Sequence, residues 1–337
     1  ITHATPAATY AKSADRNWED VSDQPDEAVG VCPDIADQLV HFESYLEERV
    51  PGVDVDGIEV VMGGGRRHFL PNDAAFIVED VAPDVEGDRT DGRDLTAEWQ
   101  ALYPDGAYLN DLADFTALNP ETVDKVFALF NESHLQYHLD LANDRAGEPS
   151  LTEMVEAGIE VLNNNDNGFF LMVESGRIDH AHHAGNAAGA LADTIEMARA
   201  VARADELTND FDTLILVTAD HSHVLALNGY AQRGNDILGL LKPVNSNDPE
   251  LAADGLPYAV LSYNNGNGFH DLGQETNSDA GYGEPIHLTG RVDLTSVDTT
   301  TPGFHQEALV PLSSETHSGE DISIHAKGPG AIAVQGV

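Results

Sequence analysis

The segment ESGRIDHAHHAGN, residues 174–186, sets two carboxylates, three histidines and an arginine directly behind the apolar run GFFLMV. Asp179 and His183 stand at i and i+4, so one helical turn would present both on the same side. A carboxylate and an imidazole placed that way suit zinc. Glu174 falls where the apolar run ends, and α/β proteins place their sites at the carboxyl edge of strands. A second apolar run, TLILVTAD (213–220), delivers Asp220 and His221 to a similar edge, with His223 beyond. In a third segment, ETHSGED, His317 precedes another strand-like run. Carboxylates and imidazoles recurring at separate points of the chain indicate two or more metal ions sharing one site. Taken singly the segments say less. An isolated histidine after a strand is usually a loop or core residue, which is the reading for His182 and His223, and an Asp-His pair can be an N-cap and its neighbour.

Arg16, after THATPAATYAKSAD, could reach back over a site near Thr5, and arginine is the planar, bidentate clamp for phosphate. A surface ion pair is the plainer account of that one residue. MGGGRR (62–67) lacks the GxxxxGK[ST] spacing of a phosphate-binding loop and reads as a tight turn after a strand. Neither GxSxG nor CxxC occurs.

Elements must position these residues. GIEVVM (57–62), FFLMVE (169–174), TLILVTAD (213–220), YAVLSY (258–263) and ISIHA (322–326) read as strands. Near-continuous apolarity favours strands covered on both faces, as in a parallel sheet. Helical patterns run from about Asp34 to Glu48, after Asn119-Pro120, from the capping box Ser150-Leu-Thr-Glu153 through MVEAGIEVL, and over 187–208. The alternation predicts an α/β fold, doubly wound, with a mainly parallel sheet flanked by helices. Residues 234–311, rich in Asn, Gly, Asp, Thr and Pro, read as a loop-rich inserted subdomain, leaving 1–233 with 312–337 as the core.

Of 337 residues, 16 are Lys or Arg and 59 are Asp or Glu, a formal net charge of -43. Such a surface repels nucleic acid and anionic membranes. The acidity is spread along the chain, which fits adaptation to high salt; an ordinary solvated acidic surface is the alternative. No apolar stretch reaches the roughly 20 residues that span a bilayer. Cys32 is the only cysteine, so no disulfide forms within the chain.

HATPAATYAKSADRNW, GGGRRHF, GFFLMVESGRIDHAHHAGNAAGAL, DTLILVTADHSHV and ETHSGEDISIHAKGPGA together resemble alkaline phosphatases, in the same order and over nearly the whole chain, with wording nearest the animal-type enzymes. The resemblance implies hydrolysis of phosphate monoesters, releasing inorganic phosphate, by two zinc ions and one magnesium ion. It assigns Asp179, His183 and His317 to the first zinc, Asp220 and His221 to the second, and Thr5 and Glu174 to the magnesium. Arg16 matches the phosphate-binding arginine, and His3 and His180 match positions just outside the ligand set. The family's nucleophilic serine, in an Asp-Ser-Ala stretch, and a bridging aspartate have no counterpart here. By resemblance the chain therefore corresponds to the C-terminal two-thirds of such an enzyme, completed by an N-terminal segment of the same gene product. Residues 234–311 take the place of the family's crown, which implies a homodimer. Cys32 matches a cysteine that bonds upstream; a buried free thiol is the alternative. Periplasmic or secreted localisation is expected. A related metal-dependent phosphodiesterase or sulfatase, or a metal-binding fragment without catalysis, stands as the alternative.

Overall fold

Three short apolar runs line up as a parallel sheet: β1 (Val60–Gly63), β2 (Ala107–Leu109) and β3 (Val126–Leu129), in the order β1-β3-β2. Val60 stands opposite Val126 and Gly63 opposite Leu129. Side chains alternate across a strand. Val61, Phe127 and Leu129 therefore pack on one face against α1 (Ile35–Val40) and, past α2 (Phe42–Arg49), α3 (Leu95–Leu102), through Ile35, Leu39, Leu95 and Trp99. Met62, Val126, Ala128 and Phe130 pack on the other against α5 (Leu151–Leu162), which follows α4 (Leu112–Ala117). Cover on both faces is why these runs are apolar at every position. Each large side chain buried there contributes about 1.5–3 kcal/mol.

This computed structural model describes residues 17–73, 75 and 87–334. They cluster into two compact units. The first holds the described residues up to Gln136 together with Leu141–Ser175; the second holds Tyr137–Asp140 and the described residues from Gly176 onward.

Several local expectations hold and several are corrected. α5 begins with the capping box foreseen at Ser150: Glu153 N donates to Ser150 Oγ (3.3 Å) and Ser150 N to Glu153 Oε2 (2.8 Å). After Gly63 the chain turns at Gly65, whose φ of 81° suits glycine, into the 3-10 turn Arg66–Phe69. The helix expected over 34–48 is two helices that meet at His41. Every residue of α1 is buried and none of α2 is, so one straight axis could not serve both. After Asn119-Pro120 only the 3-10 turn Pro120–Thr122 forms, because the chain must re-enter the sheet at Val126. The stretch 169–174 forms no ladder among the described residues and exposes Phe170 (90%) and Met172 (53%); a strand needs a hydrogen-bonded neighbour.

The first unit holds an ion pair with no solvent around its cation. Arg89, 1% exposed, grips both oxygens of Asp34 (3.1 and 3.0 Å) and both of Asp91 (3.1 and 2.5 Å), while Asp34 also caps α1 through Asp37 N (2.9 Å). Removing one partner strands a buried charge. Arg89→Met is therefore expected to lower the unfolding free energy by about 3–5 kcal/mol in urea denaturation.

In the second unit come α6 (Arg177–His183), α7 (Ala187–Leu207), β4 (Ile215–Val217), β5 (Ser222–His223), β6 (Leu225–Leu227), β7 (Leu261–Gly266), β8 (His270–Asp271), β9 (Phe304–His305), β10 (Ala308–Pro311), β11 (His317–Ser318) and β12 (His325–Lys327). β10 and β7 are parallel; β6 joins β7, β11 joins β5, β12 joins β4 and β8 joins β9 antiparallel. The fold is thus α/β with parallel strands, and its sheets among the described residues are small and partly antiparallel. No helix among the described residues is long and apolar enough to cross a membrane.

The loop-rich stretch 234–311 holds the junction of α6 and α7. His305 Nδ1 donates to Ala184 O (2.8 Å), Gln306 N to Gly185 O (2.9 Å) and Ala187 N to Gln306 Oε1 (2.7 Å). Asn186 caps α7 through Gly189 N (2.7 Å). A Cβ on Gly189 would meet Ser278 Oγ at 2.2 Å, so glycine permits that approach.

α7 also buries Asp193, 7% exposed, which accepts from His138 N (3.2 Å). Desolvation lifts its pKa to about 7. The folded state then holds this proton more tightly than the unfolded chain does, so stability falls as pH rises from about 4 to about 7. Asp193→Asn keeps the acceptor and is expected to flatten that stretch of the melting-temperature profile, gaining about 2–4 kcal/mol above it.

Candidate metal centre

Helical spacing places Asp179 and His183 together on α6, as their sequence interval requires, with His183 Nε2 3.4 Å from Asp179 Oδ2. α6 has only seven residues and cannot hold such a pair rigid by itself. The antiparallel pair β11-β5 brings the other imidazoles: its register sets His317 opposite His223. Asp179 Oδ1 then lies 2.9 Å from His223 Nε2, 3.2 Å from His317 Nε2 and 3.8 Å from His221 Nε2. His183 Nε2 and His317 Nε2 are 3.0 Å apart, and the rings of His221 and His317 stack at 3.6 Å.

Behind them lies Glu315, whose side chain is fully buried. Its Oε2 accepts from His223 Nδ1 (2.7 Å) and its Oε1 from Val224 N (2.7 Å), while its backbone carbonyl accepts from His183 Nδ1 (2.7 Å). A proton on Nδ1 of His183 leaves its Nε2 with a lone pair, the form a metal requires. The arrangement matches the carboxylate–histidine–metal pattern that orients ligand imidazoles.

Burial opposes charge on both Asp179 and His223, but each overrides it for the other. Contact with the imidazoles holds the Asp179 carboxyl down at about 2. Bonds to Asp179 and Glu315 lift His223 to about 9. Two carboxylates therefore demand positive charge at this point, and a proton on His223 or a metal cation satisfies them. His182 has the opposite environment. Burial, then the neighbouring His223, lowers it to about 4, and its Nδ1 meets the hydroxyl of Tyr263 at 2.9 Å. It is a half-buried histidine held by the core residue Tyr263.

One oxygen of Asp179 and one nitrogen each of His221, His223 and His317 lie within 4.8 Å of one another, as do atoms of His183, His223 and Glu315. A donor set of one carboxylate and several imidazoles is that of zinc. His221 adds a second sign: its Nδ1 is buried without a hydrogen-bond partner. These residues fit a bound metal.

Among the residues singled out from the sequence, Asp179, His183, His221 and His317 converge. Asp220 does not join them; its carboxylate is 87% exposed and meets only its own neighbour, with Oδ2 3.3 Å from His221 Nε2. Glu174 belongs to the first unit, at the end of the unladdered stretch. His180 sits one residue from Asp179 with Nδ1 3.0 Å from Arg177 Nη1, and burial followed by that arginine lowers its pKa. His3, Thr5 and Arg16 lie outside the described residues. Two members of the centre were missed, His223 and Glu315. A signal existed: His221 and His223, like Glu315 and His317, stand two apart, the repeat that puts extended-chain residues on one side.

A family model described as alkaline phosphatase matches residues 1–337. The chain belongs to the alkaline phosphatase family. It is 38% identical over 340 residues to an alkaline phosphatase of Gadus morhua, covering all of this chain and 64% of that relative. It is 37% identical over 341 residues to the tissue-nonspecific isozyme of Homo sapiens, covering 58% of it, and 40% identical to a membrane-bound alkaline phosphatase of Bombyx mori, covering 97% of this chain and 54% of that one. The chain thus spans a little under two thirds of the length of these relatives. The crystal structure of Thermus thermophilus alkaline phosphatase shares the fold, with a TM-score of 0.52 at 22% identity over 88% of this chain and 60% of that one.

Glu315 can be tested as the buried anchor of the imidazoles. Changing a residue behind a metal's ligands typically costs 10–100-fold in affinity. Glu315→Gln is expected to weaken zinc by that range in a competition titration with a chromophoric chelator, and Asp179→Ala to weaken it further.

Proposed function

We propose that the complete protein hydrolyses phosphate monoesters and releases inorganic phosphate, using metal ions held by this chain. The observation that carries the reading is the convergence of Asp179, His183, His221 and His317 from three distant segments, in a chain whose family is alkaline phosphatase. Asp179, His183 and His317 would hold a first zinc, His221 and Asp220 a second, and Glu174 and Thr5 a magnesium. When bound, such ions stabilise both the attacking and the leaving oxygen of an in-line displacement. For Asp220 this requires a turn of its side chain from solvent. Arg16 would bind the substrate phosphate, and His3 and His180 would support the ligands.

The nucleophilic serine and the bridging aspartate of the family pattern would come from an N-terminal segment of the same gene product, and the serine would carry the phosphoryl group between the two displacements. In that longer protein the parallel sheet β1-β3-β2 would be part of a doubly wound sheet, and 234–311 would form a crown-like subdomain at a homodimer interface. The exposed apolar side chains of 169–172 support a larger sheet. The acidic composition supports a periplasmic or secreted protein working in high salt.

The decisive experiment is hydrolysis of an aryl phosphate by the full-length protein at alkaline pH in high salt, with zinc and magnesium and a chelated control. Activity that disappears on chelation and exceeds the rate on the matching diester is expected. A diester preference would favour the phosphodiesterase or sulfatase relative. A fully metal-loaded protein without activity would favour the second reading, a non-catalytic metal binder, to which the absence of an Asp-Ser-Ala stretch from these 337 residues points.

A further inference from the structure

Arg177, the first residue of α6, is not a metal ligand, yet it is 8% exposed. Its guanidinium lies over the ring of Tyr137, 4.2 Å from the centroid, and Tyr137 is itself 0% exposed. Nη1 donates to Asp279 Oδ2 (3.0 Å) and meets His180 Nδ1 (3.0 Å). The Tyr137 hydroxyl donates to the other oxygen, Asp279 Oδ1 (2.5 Å). Stacking and a shared carboxylate therefore fix the guanidinium from two sides.

The contact with His180 has one chemical solution. Guanidinium nitrogen only donates, so Nδ1 must accept, and the ring proton must sit on Nε2. We propose that Arg177, locked by Tyr137 and Asp279, is a positioning residue that holds His180 in the Nε2–H tautomer and so turns it into a fixed hydrogen-bond donor one residue from Asp179. An Nε2–H points across the ring, away from Arg177, and suits an anionic oxygen such as that of a phosphate or of a coordinated water. Asp279 comes from the 3-10 turn Ser278–Gly283 in the loop-rich stretch, so that stretch sets the chemistry of an imidazole on the metal-binding helix. The tautomer follows from the geometry alone; only its catalytic consequence rests on the phosphatase reading.

The test is long-range proton–nitrogen NMR on metal-loaded protein with 15N-labelled histidine, assigned through His180→Gln. Wild type should show His180 as a single tautomer protonated at Nε2. Arg177→Met should give an averaged pattern and lower kcat/KM about 10–100-fold, and Arg177→Lys, which retains a cationic donor, should restore the single tautomer. Tyr137→Phe keeps the stacked ring and should leave the tautomer in place. A wild-type His180 protonated at Nδ1 overturns the proposal without any variant, as does an unchanged pattern in Arg177→Met. A wild type with the Nε2–H tautomer that hydrolyses no phosphate monoester leaves the clamp standing and refutes the phosphatase reading, so the two failures are distinct.

Discussion

One carboxylate organises the second unit. Asp179 lies within 3.8 Å of imidazole nitrogens from His183, His221, His223 and His317, which come from three separate segments of the chain. Neutral imidazole nitrogens gathered this tightly present lone pairs to one another unless a cation stands among them. The buried Glu315 adds a second negative charge behind them. The two carboxylates call for positive charge there, which a proton on His223 or a bound cation would supply.

A seven-residue helix carries the candidate ligands Asp179 and His183, so rigidity must come from outside it. β9 and Gln306 tie its C-terminal end to the start of α7, and Arg177 ties its N-terminal end to Tyr137 and Asp279. β11 and β5 bring histidines across a ladder of two residue pairs, with Glu315 as the anchor. The loop-rich stretch 234–311 thus acts on the centre by holding the elements that bear it.

The charge balance runs through the same design. With 16 basic residues against 59 acidic ones, cations are scarce. Among the described residues three arginines are nonetheless 8% exposed or less: Arg66, Arg89 and Arg177. Arg66 donates to the carbonyls of Leu129 and Asn110 at 2.8 and 3.2 Å, at the ends of β3 and β2, and Arg89 joins Asp34 to Asp91. Arginine suits these places because its planar fork answers several oxygens at once. The surface left behind is strongly acidic; self-repulsion then opposes the compact state, and salt relieves it.

Local chemistry was legible in the residues. The i, i+4 spacing of Asp179 and His183, the capping box at Ser150, the turn at Gly65 and the apolar run of β1 each follow from interactions a few residues long, so sequence alone determined them. So did the family, because its motifs are contiguous. What only the tertiary structure decided depends on partners far apart in the chain. Residues 169–174 have strand composition but no neighbour to complete a ladder. The 34–48 pattern breaks at His41 because burial differs on its two sides. Asp220 carries the right chemical type and faces solvent, while His223, read singly as an ordinary residue, and Glu315 become part of the centre once the β11-β5 register sets His317 against His223. Ligand type is a property of a residue; convergence belongs to the folded chain.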